Sequence, residues 1–182
     1  MRRLVKDRRY RDAEHQAVIE GPRAIQTAID FGADLREIFH RPDQSEVAET
    51  LLKEGMTIHQ VDSDVLDQIA ESGSPQGLLA VAEVHDAEAP IISASRRVVV
   101  VDSVQDPGNV GAIVRTAAAA GFEAVIASPG TADLLSPRSI RASAGTIFSM
   151  QFARNMELDS VIGALVRAGH LVVAADSRGE ID

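Results

Sequence analysis

The chain has 182 residues, of which 45% are hydrophobic and 25% charged, and this composition is typical of a globular protein with one core or two small domains. It contains no cysteine, so disulfides, thiolate metal sites and thiol nucleophiles are excluded. The formal net charge of −9 argues against sequence-independent coating of nucleic acid, because neutralising phosphates needs clustered Lys and Arg.

The N-terminus is nevertheless locally basic. Its positive residues are Arg2, Arg3, Lys6, Arg8, Arg9 and Arg11. This run is either a frayed, solvated terminus or a surface that contacts RNA. No apolar stretch follows it and none elsewhere is long enough to cross a bilayer, so we expect no signal peptide, no membrane partner and a cytoplasmic location. The five histidines are scattered without ligand spacing, so no metal site is expected.

The first half of the chain alternates helix and strand signals. A helix opens at Glu20-Gly21-Pro22 and closes at Phe31-Gly32, with apolar residues at helical spacing between them. The pattern then predicts a strand over 35–39, a helix over 45–53 capped by Ser45, a strand over 57–61, a helix over 63–71, an exposed loop over 72–77 and a strand over 78–84.

A segment of small and acidic residues, 85–95, reads as a linker to a second α/β unit. The elements predicted there are a buried valine strand over 98–101, a helix of roughly three turns between Asn109 and Gly121, a strand over 124–127, a helix over 158–168 and a strand over 171–175. Asp106-Pro107-Gly108 is a turn, and Asn109 is expected to cap the helix. Alternating strands and helices predict a largely parallel sheet with helices on its faces.

Arg115 is the first candidate for chemistry, because it lies within an otherwise small and apolar helix. It either acts on a ligand together with Asn109 or forms a structural ion pair with Asp102 or Asp106. Strict periodicity puts Asn109 and Arg115 on different sides of the helix, so both could approach one ligand only if Arg115 reaches back.

Arg138, Arg141 and Ser143 form a second candidate cluster. Two arginines three residues apart on a helical turn face the same way, and Ser143 with Gly145 would let backbone approach a ligand. Spacing alone indicates an anion site or a solvated basic turn. The chain has no Walker loop, no dinucleotide fingerprint, no Gly-x-Ser-x-Gly elbow and no paired carboxylates of glycosidase type.

Two stretches resemble the signatures of a known family. Residues 106–117, DPGNVGAIVRTA, followed by Ala120-Gly121, resemble the first signature of the SpoU/TrmH branch of the SPOUT RNA methyltransferases. Residues 136–138, SPR, with 141–145, RASAG, and Phe148 resemble the second. Residues 20–23, EGPR, and 76–80, QGLLA, are similar to the substrate-binding domain that precedes the catalytic domain in many members, a domain that resembles ribosomal proteins.

The resemblance implies an α/β protein with two domains: an RNA-binding domain over 1–88 and part of a parallel-sheet, trefoil-knot methyltransferase domain over 96–182. It implies transfer of a methyl group from S-adenosylmethionine to a ribose 2′-hydroxyl of rRNA or tRNA by a homodimer. Arg115 and Asn109 would be catalytic, with Arg115 orienting the hydroxyl and stabilising charge, because an arginine is effectively always protonated. The RNA contacts expected with it are Arg8, Arg9, Arg11, Arg23, Arg138, Arg141 and Ser143.

The third signature of the family, which forms the knot and most of the cofactor site, has no counterpart in these 182 residues. The strand over 171–175 would leave Ala174 and Ala175 as the cofactor contacts. We therefore expect a fragment or shortened descendant that is incomplete for catalysis. Two alternatives stay open: an RNA-binding protein without catalysis, and a resistance methyltransferase that modifies one ribosomal nucleotide.

Overall fold

The computed structural model describes residues 1–71, 75–88, 92 and 94–175. The N-terminus forms two short helices, α1 (Arg2–Lys6) and α2 (Arg8–Glu14), so the alternative of a frayed terminus is wrong. Asp7 caps α2 by accepting a hydrogen bond from the Tyr10 amide. Leu4 and Val5 are buried against Val18 and Leu66, and this apolar contact is what holds the basic segment in place.

The first sheet contains β1 (Gln16–Glu20), β2 (Asp34–His40), β3 (Thr57–Gln60) and β4 (Leu78–Glu83), in the order β1-β4-β2-β3. Its helices are α3 (Pro22–Asp30), α4 (Ser45–Leu51) and α5 (Ser63–Ile69), and a 3-10 turn (Pro42–Gln44) leads into α4. Helix α4 has Gln44 rather than Ser45 at its N-cap. Of the predicted loop over 72–77, residues 72–74 lie outside the described residues.

The first sheet is mixed, which corrects the expectation of largely parallel pairing. Only β2 and β3 are parallel, because β4 inserts between β1 and β2 and runs antiparallel to both. Strand β1 was not predicted either. Its residues Ala17, Val18 and Ile19 are fully buried, so it lies inside the core without the alternation that marks a half-exposed strand.

The second sheet is parallel throughout, as expected. It contains β5 (Val98–Val101), β6 (Ala124–Ala127) and β7 (Gln151–Arg154) in that order. Its helices are α6 (Pro107–Ala119), α7 (Pro137–Ala142) and α8 (Leu158–Arg167), and a 3-10 turn (Thr146–Ser149) precedes β7. Strand β7 was not predicted, because its four residues have polar ends and its register depends on β6.

The strand predicted over 171–175 is wrong. This segment forms no ladder with any described strand, and Leu171 and Val173 are 89% and 82% exposed. Strand propensity depends on packing and on a neighbouring strand, and the described part of the molecule provides neither there.

The two halves share one apolar core. Ile19, Ile25 and Leu78 of the first half belong to the same buried cluster as Val110 and Ile140 of the second. Gly145 shows how closely they approach: a Cβ there would lie 2.6 Å from the carbonyl oxygen of Ala24 in α3. Its φ of +83° is also one that L residues rarely adopt. The predicted linker region therefore joins two halves that pack directly on each other.

Candidate functional site

Asp106 organises the start of α6. Its Oδ1 accepts a hydrogen bond from the Asn109 amide at 2.9 Å, so Asp106 rather than Asn109 is the N-cap, and the expected capping role of Asn109 is wrong. Its Oδ2 accepts a hydrogen bond from Arg138 Nη2 at 3.0 Å. One carboxylate thus connects the two signature segments.

Gly111 allows α6 and α7 to touch. A Cβ at this position would meet the carbonyl oxygen of Ser139, and it would lie 2.5 Å from Ala142 Cβ and 2.9 Å from the Ser143 amide. Any larger residue would therefore push the helices apart, which explains why a glycine occupies the middle of a helix where it costs stability. The spacing of the two signatures reflects this direct backbone contact.

Arg115 is exposed, and within the described ranges it takes part in no hydrogen bond or ion pair. The alternative of a structural pair with Asp102 or Asp106 is therefore wrong: Asp106 pairs with Arg138, and Asp102 accepts hydrogen bonds from Ser103 and Ser128. Arg115 instead lines an open pocket of about 680 Å³ with Phe31, Glu123 and Gln151. An unpaired guanidinium beside an open pocket can contact a ligand.

Asn109 and Arg115 do not converge. Asn109 is exposed in the first turn of α6, near the carboxyl edge of the second sheet. Arg115 lies about 9 Å further along the helix axis, and its pocket is bounded by residues at the amino edge. Within the described residues the structure does not bring these two side chains to one point.

The residues of the second cluster, Arg138, Arg141 and Ser143, differ in their exposure to solvent. Arg138 is 52% exposed beside Asp106, and Arg141 is 41% exposed with its Nη1 3.7 Å from the buried carboxylate of Glu20. Ser143 is buried and its hydroxyl donates to the carbonyl of Ile140, so this side chain is already engaged inside the fold. The two arginines keep donor groups directed at solvent, while Ser143 presents none.

The arginines of the first half also differ in their exposure and in their partners. Arg9 and Arg23 are exposed and have no ionic or hydrogen-bonding partner in the described residues. Arg8 is half-buried between Asp12 and Asn155. Arg11 is buried: it pairs with Asp133 at 2.6 Å and donates to the carbonyls of Leu4 and Val5. Its guanidinium is therefore fully occupied within the protein.

An ionic network that the sequence did not predict surrounds Asp133. The Arg154 side chain is 8% exposed and pairs with Asp12 and Asp86 at 2.7 and 2.8 Å, and with Asp133 at 3.5 Å. Burial would lower the pKa of Arg154, but its hydrogen bonds and the charges of Asp86, Asp133 and Asp12 raise that pKa above its ordinary value. These residues are far apart in the chain, so no local signal could have revealed them.

The expected cofactor contacts lie at the surface. Ala174 and Ala175 are exposed, and neither lines the pocket of Arg115. Their contact with S-adenosylmethionine stays a prediction. The described part of the chain contains no group of three or more His, Asp or Glu side chains placed to hold a metal ion, and none of its helices has the length and apolarity needed to cross a membrane.

Comparison with known families agrees with this arrangement. Residues 96–181 match the SpoU rRNA methylase family, and residues 1–80 match the MRM3-like substrate-binding domain. Together the two matches cover both halves of the structure. The chain belongs to the SpoU/TrmH family of RNA methyltransferases.

Individual relatives support the same family. The chain is 30% identical over 152 residues to the 23S rRNA guanosine 2′-O-methyltransferase RlmP of Bacillus subtilis, which covers 84% of this chain and 59% of that protein. It is 28% identical to the mitochondrial rRNA methyltransferase 3 of Xenopus tropicalis, over 96% of this chain and 43% of the relative. The chain thus spans about half the length of these relatives.

Solved structures show the same fold. The SpoU methyltransferase AviRb of Streptomyces viridochromogenes, in complex with S-adenosylmethionine, superposes with a TM-score of 0.79 at 27% identity, over 92% of this chain and 65% of that one. An rRNA methyltransferase of Sinorhizobium meliloti gives a TM-score of 0.76 at 28% identity, over 96% of this chain and 70% of that one.

Proposed function

We propose that this chain carries the RNA-recognition surface and the catalytic arginine of a methyltransferase that moves a methyl group from S-adenosylmethionine to a ribose 2′-hydroxyl of rRNA or tRNA. The observation that carries the proposal is Arg115, a solvent-exposed guanidinium without a partner in the described residues, beside an open pocket in the first signature segment. The rRNA specificity named for the relatives supports rRNA as the substrate class.

The proposed division of the chain places substrate recognition in 1–88 and methyl transfer in 96–182. Arg115 would orient the ribose hydroxyl and stabilise the charge that develops as its proton leaves, since a guanidinium is an effective donor but not a base. Asn109 would shape the RNA-facing loop at the start of α6, and Arg9, Arg23, Arg138 and Arg141 would contact phosphates through their exposed donors.

Arg8, Arg11 and Ser143 remain in the proposal only as groups that support this surface. Each already contacts other residues of the chain, and Arg11 and Ser143 are buried. S-adenosylmethionine would supply the electrophilic methyl group, and its expected contacts, Ala174 and Ala175, are exposed. A homodimer and a cytoplasmic location belong to the same proposal. The bacterial relative favours the cytoplasm, whereas other relatives are mitochondrial.

Arg115 provides the direct test of this function. Arg115→Ala should lower methyl transfer to unmodified rRNA by about 100-fold or more, the usual cost of removing a donor aimed at developing charge. Arg115→Lys should recover only part of the rate, because one ammonium cannot reproduce a planar guanidinium. Transfer is measured with tritium-labelled S-adenosylmethionine. Arg167→Ala, at an exposed arginine of α8, is the matched control, and a wild-type rate for Arg115→Ala would disprove the role.

RNA binding without catalysis is the second candidate, and the exposure of Ala174 and Ala175 favours it for these 182 residues. Calorimetric titration of the chain with S-adenosylmethionine separates the two. RNA binding without cofactor binding would favour the second candidate. Cofactor binding would show that the residues present suffice to build a pocket.

A further inference from the structure

A pair of adjoining recesses lies at the amino edge of the second sheet, away from the loops that carry Asp106 and Asn109. The larger one, of about 680 Å³, contains Arg115 and Phe31. The smaller one, of about 150 Å³, is lined by Arg96, Arg97, Gly121 and Glu123, of which Gly121 and Glu123 also line the larger. The combined surface has the size of a small-ligand site.

Phe31 supplies an aromatic face. It follows α3 in the first half of the molecule, yet it lines a pocket built mainly by the second half. The residue is 51% exposed, and no ring contact within the described residues involves it. Only 3% of the chain is aromatic, so a large exposed ring beside an arginine is a distinctive feature. Unstacked RNA bases are bound by stacking on such rings.

The surroundings of the ring are basic although the chain has a net charge of −9. Arg97 Nη1 donates to the carbonyl of Ala120 at 2.8 Å, which fixes the side chain at the end of α6 and leaves its other donors available. The backbone amide of Arg96 donates to Glu123, and its guanidinium makes no ionic or hydrogen-bonding contact in the described part of the chain. With Arg115, three guanidinium groups border the recesses, an arrangement complementary to phosphate.

The floor of the larger recess offers groups for a base edge. Glu123 and Gln151 are both exposed there, and the side-chain amide of Gln151 is not engaged by any described residue. A carboxylate accepts hydrogen bonds and an amide both donates and accepts, so the pair can contact the polar edge of a stacked base. The three arginines outnumber the one carboxylate, so the border of the recesses is positive and favours a ligand that carries phosphate.

We propose that these recesses bind a nucleotide of single-stranded RNA, with its base stacked on Phe31 and its phosphates on Arg96 and Arg97. The inference rests on the proposed function and adds to it a second contact region that links the substrate-binding half to Arg115. A duplex would not fit, because its bases are stacked on each other and cannot cover Phe31.

Fluorescence anisotropy with a short fluorescein-labelled single-stranded RNA, and with the same strand annealed to its complement, tests the proposal. Phe31→Ala should weaken single-strand binding by about 5- to 150-fold, the range for loss of one stacked base, with little effect on the duplex. Phe31→Leu should lose most of the same affinity, because it keeps apolar area but no ring. Val166→Ala, at an exposed apolar residue of α8, is the matched control.

The double variant Arg96→Gln with Arg97→Gln tests the phosphate contacts. It should reduce the slope of log affinity against log salt by about 1 to 2, whereas Phe31→Ala should leave the slope unchanged. Arg36→Gln with Arg167→Gln removes the same charge from exposed positions outside the recesses and should change the slope less.

The outcomes separate the two proposals. If wild-type protein binds the single strand but the Phe31 variants behave like Val166→Ala, the nucleotide subsite is wrong while the proposed function stands. If wild-type protein binds neither RNA, both are wrong. If sedimentation shows that Phe31→Ala changes self-association instead of RNA affinity, the recesses contact a second copy of the chain and the subsite is again wrong.

Discussion

Gly111 shows how a single residue holds the signature region together. The contact of α6 with α7 leaves no space for a side chain at this position, since a Cβ would meet backbone atoms of Ser139 and Ser143. Backbone atoms cannot rotate away as the end of a long side chain can. The spacing between the two signatures is therefore a packing requirement.

Gly111→Ala should destabilise the protein by about 1–3 kcal/mol, the usual cost of forcing extra volume into a packed contact. Gly163→Ala is the matched control, because this glycine is also helical and its Cβ would meet only the end of the Arg167 side chain, at 3.3 Å. It should be neutral or stabilising by up to about 1 kcal/mol through helix propensity. Urea unfolding compares the two, and equal midpoints would contradict the packing explanation.

At the level of the element, α6 depends on Asp106 for both its start and its connection to α7. The carboxylate accepts from the Asn109 amide with one oxygen and from Arg138 with the other. Asn109 itself points into solvent and makes no capping bond. The helix is therefore capped by Asp106, three residues before Asn109, the cap that the sequence suggested.

Asp106→Ala should cost about 1 kcal/mol of stability, as expected for the loss of an N-cap. Asp106→Asn should cost less, since its carbonyl oxygen can still accept from the Asn109 amide. Asn109→Ala should stay within about 0.5 kcal/mol of wild type, as for an exposed residue without structural contacts. Thermal unfolding followed by circular dichroism ranks the three variants, and a larger loss for Asn109→Ala than for Asp106→Ala would refute this assignment of the cap.

At the level of the whole molecule, charged groups bind the N-terminal helices to the second sheet. Arg11 of α2 and Arg154 of β7 both contact Asp133, and Arg154 also reaches Asp12 and Asp86. Because the pKa of Arg154 is raised in the folded state, the stabilisation is complete below the ordinary arginine pKa and is lost only as pH rises through the higher folded value. Arg154 therefore stays charged throughout the neutral range.

Arg154→Ala should destabilise the protein by about 1–3 kcal/mol, because it removes the charged hydrogen bonds to Asp12 and Asp86, while Asp133 keeps its pair with Arg11. Arg36→Ala removes an exposed arginine that pairs with Asp34 and Glu83, and it should leave the unfolding midpoint almost unchanged. Urea denaturation is the measurement, because guanidinium chloride is a salt and would screen the charges. A similar effect of both substitutions would show that burial does not strengthen the network.

Local patterns were sufficient for much of the fold. Helices α3, α6 and α8 and strands β5 and β6 lie close to their predicted bounds, because apolar periodicity and turn residues are encoded over neighbouring positions. Strands β1 and β7 escaped detection, and the segment 171–175 was wrongly predicted as a strand. In all three cases the deciding factor is a neighbouring strand, present for β1 and β7 and absent among the described strands for 171–175.

The sequence by itself determined the family signatures, the valine strand β5 and the choice of Arg115 as a candidate within a small, apolar helix, since each depends on residues within one short segment. Tertiary structure alone decided that β4 lies antiparallel between β1 and β2, that Arg11 is buried against Asp133, and that Phe31 approaches the pocket of Arg115. These arrangements depend on contacts between distant parts of the chain, where one residue's surroundings are set by the packing of all the others.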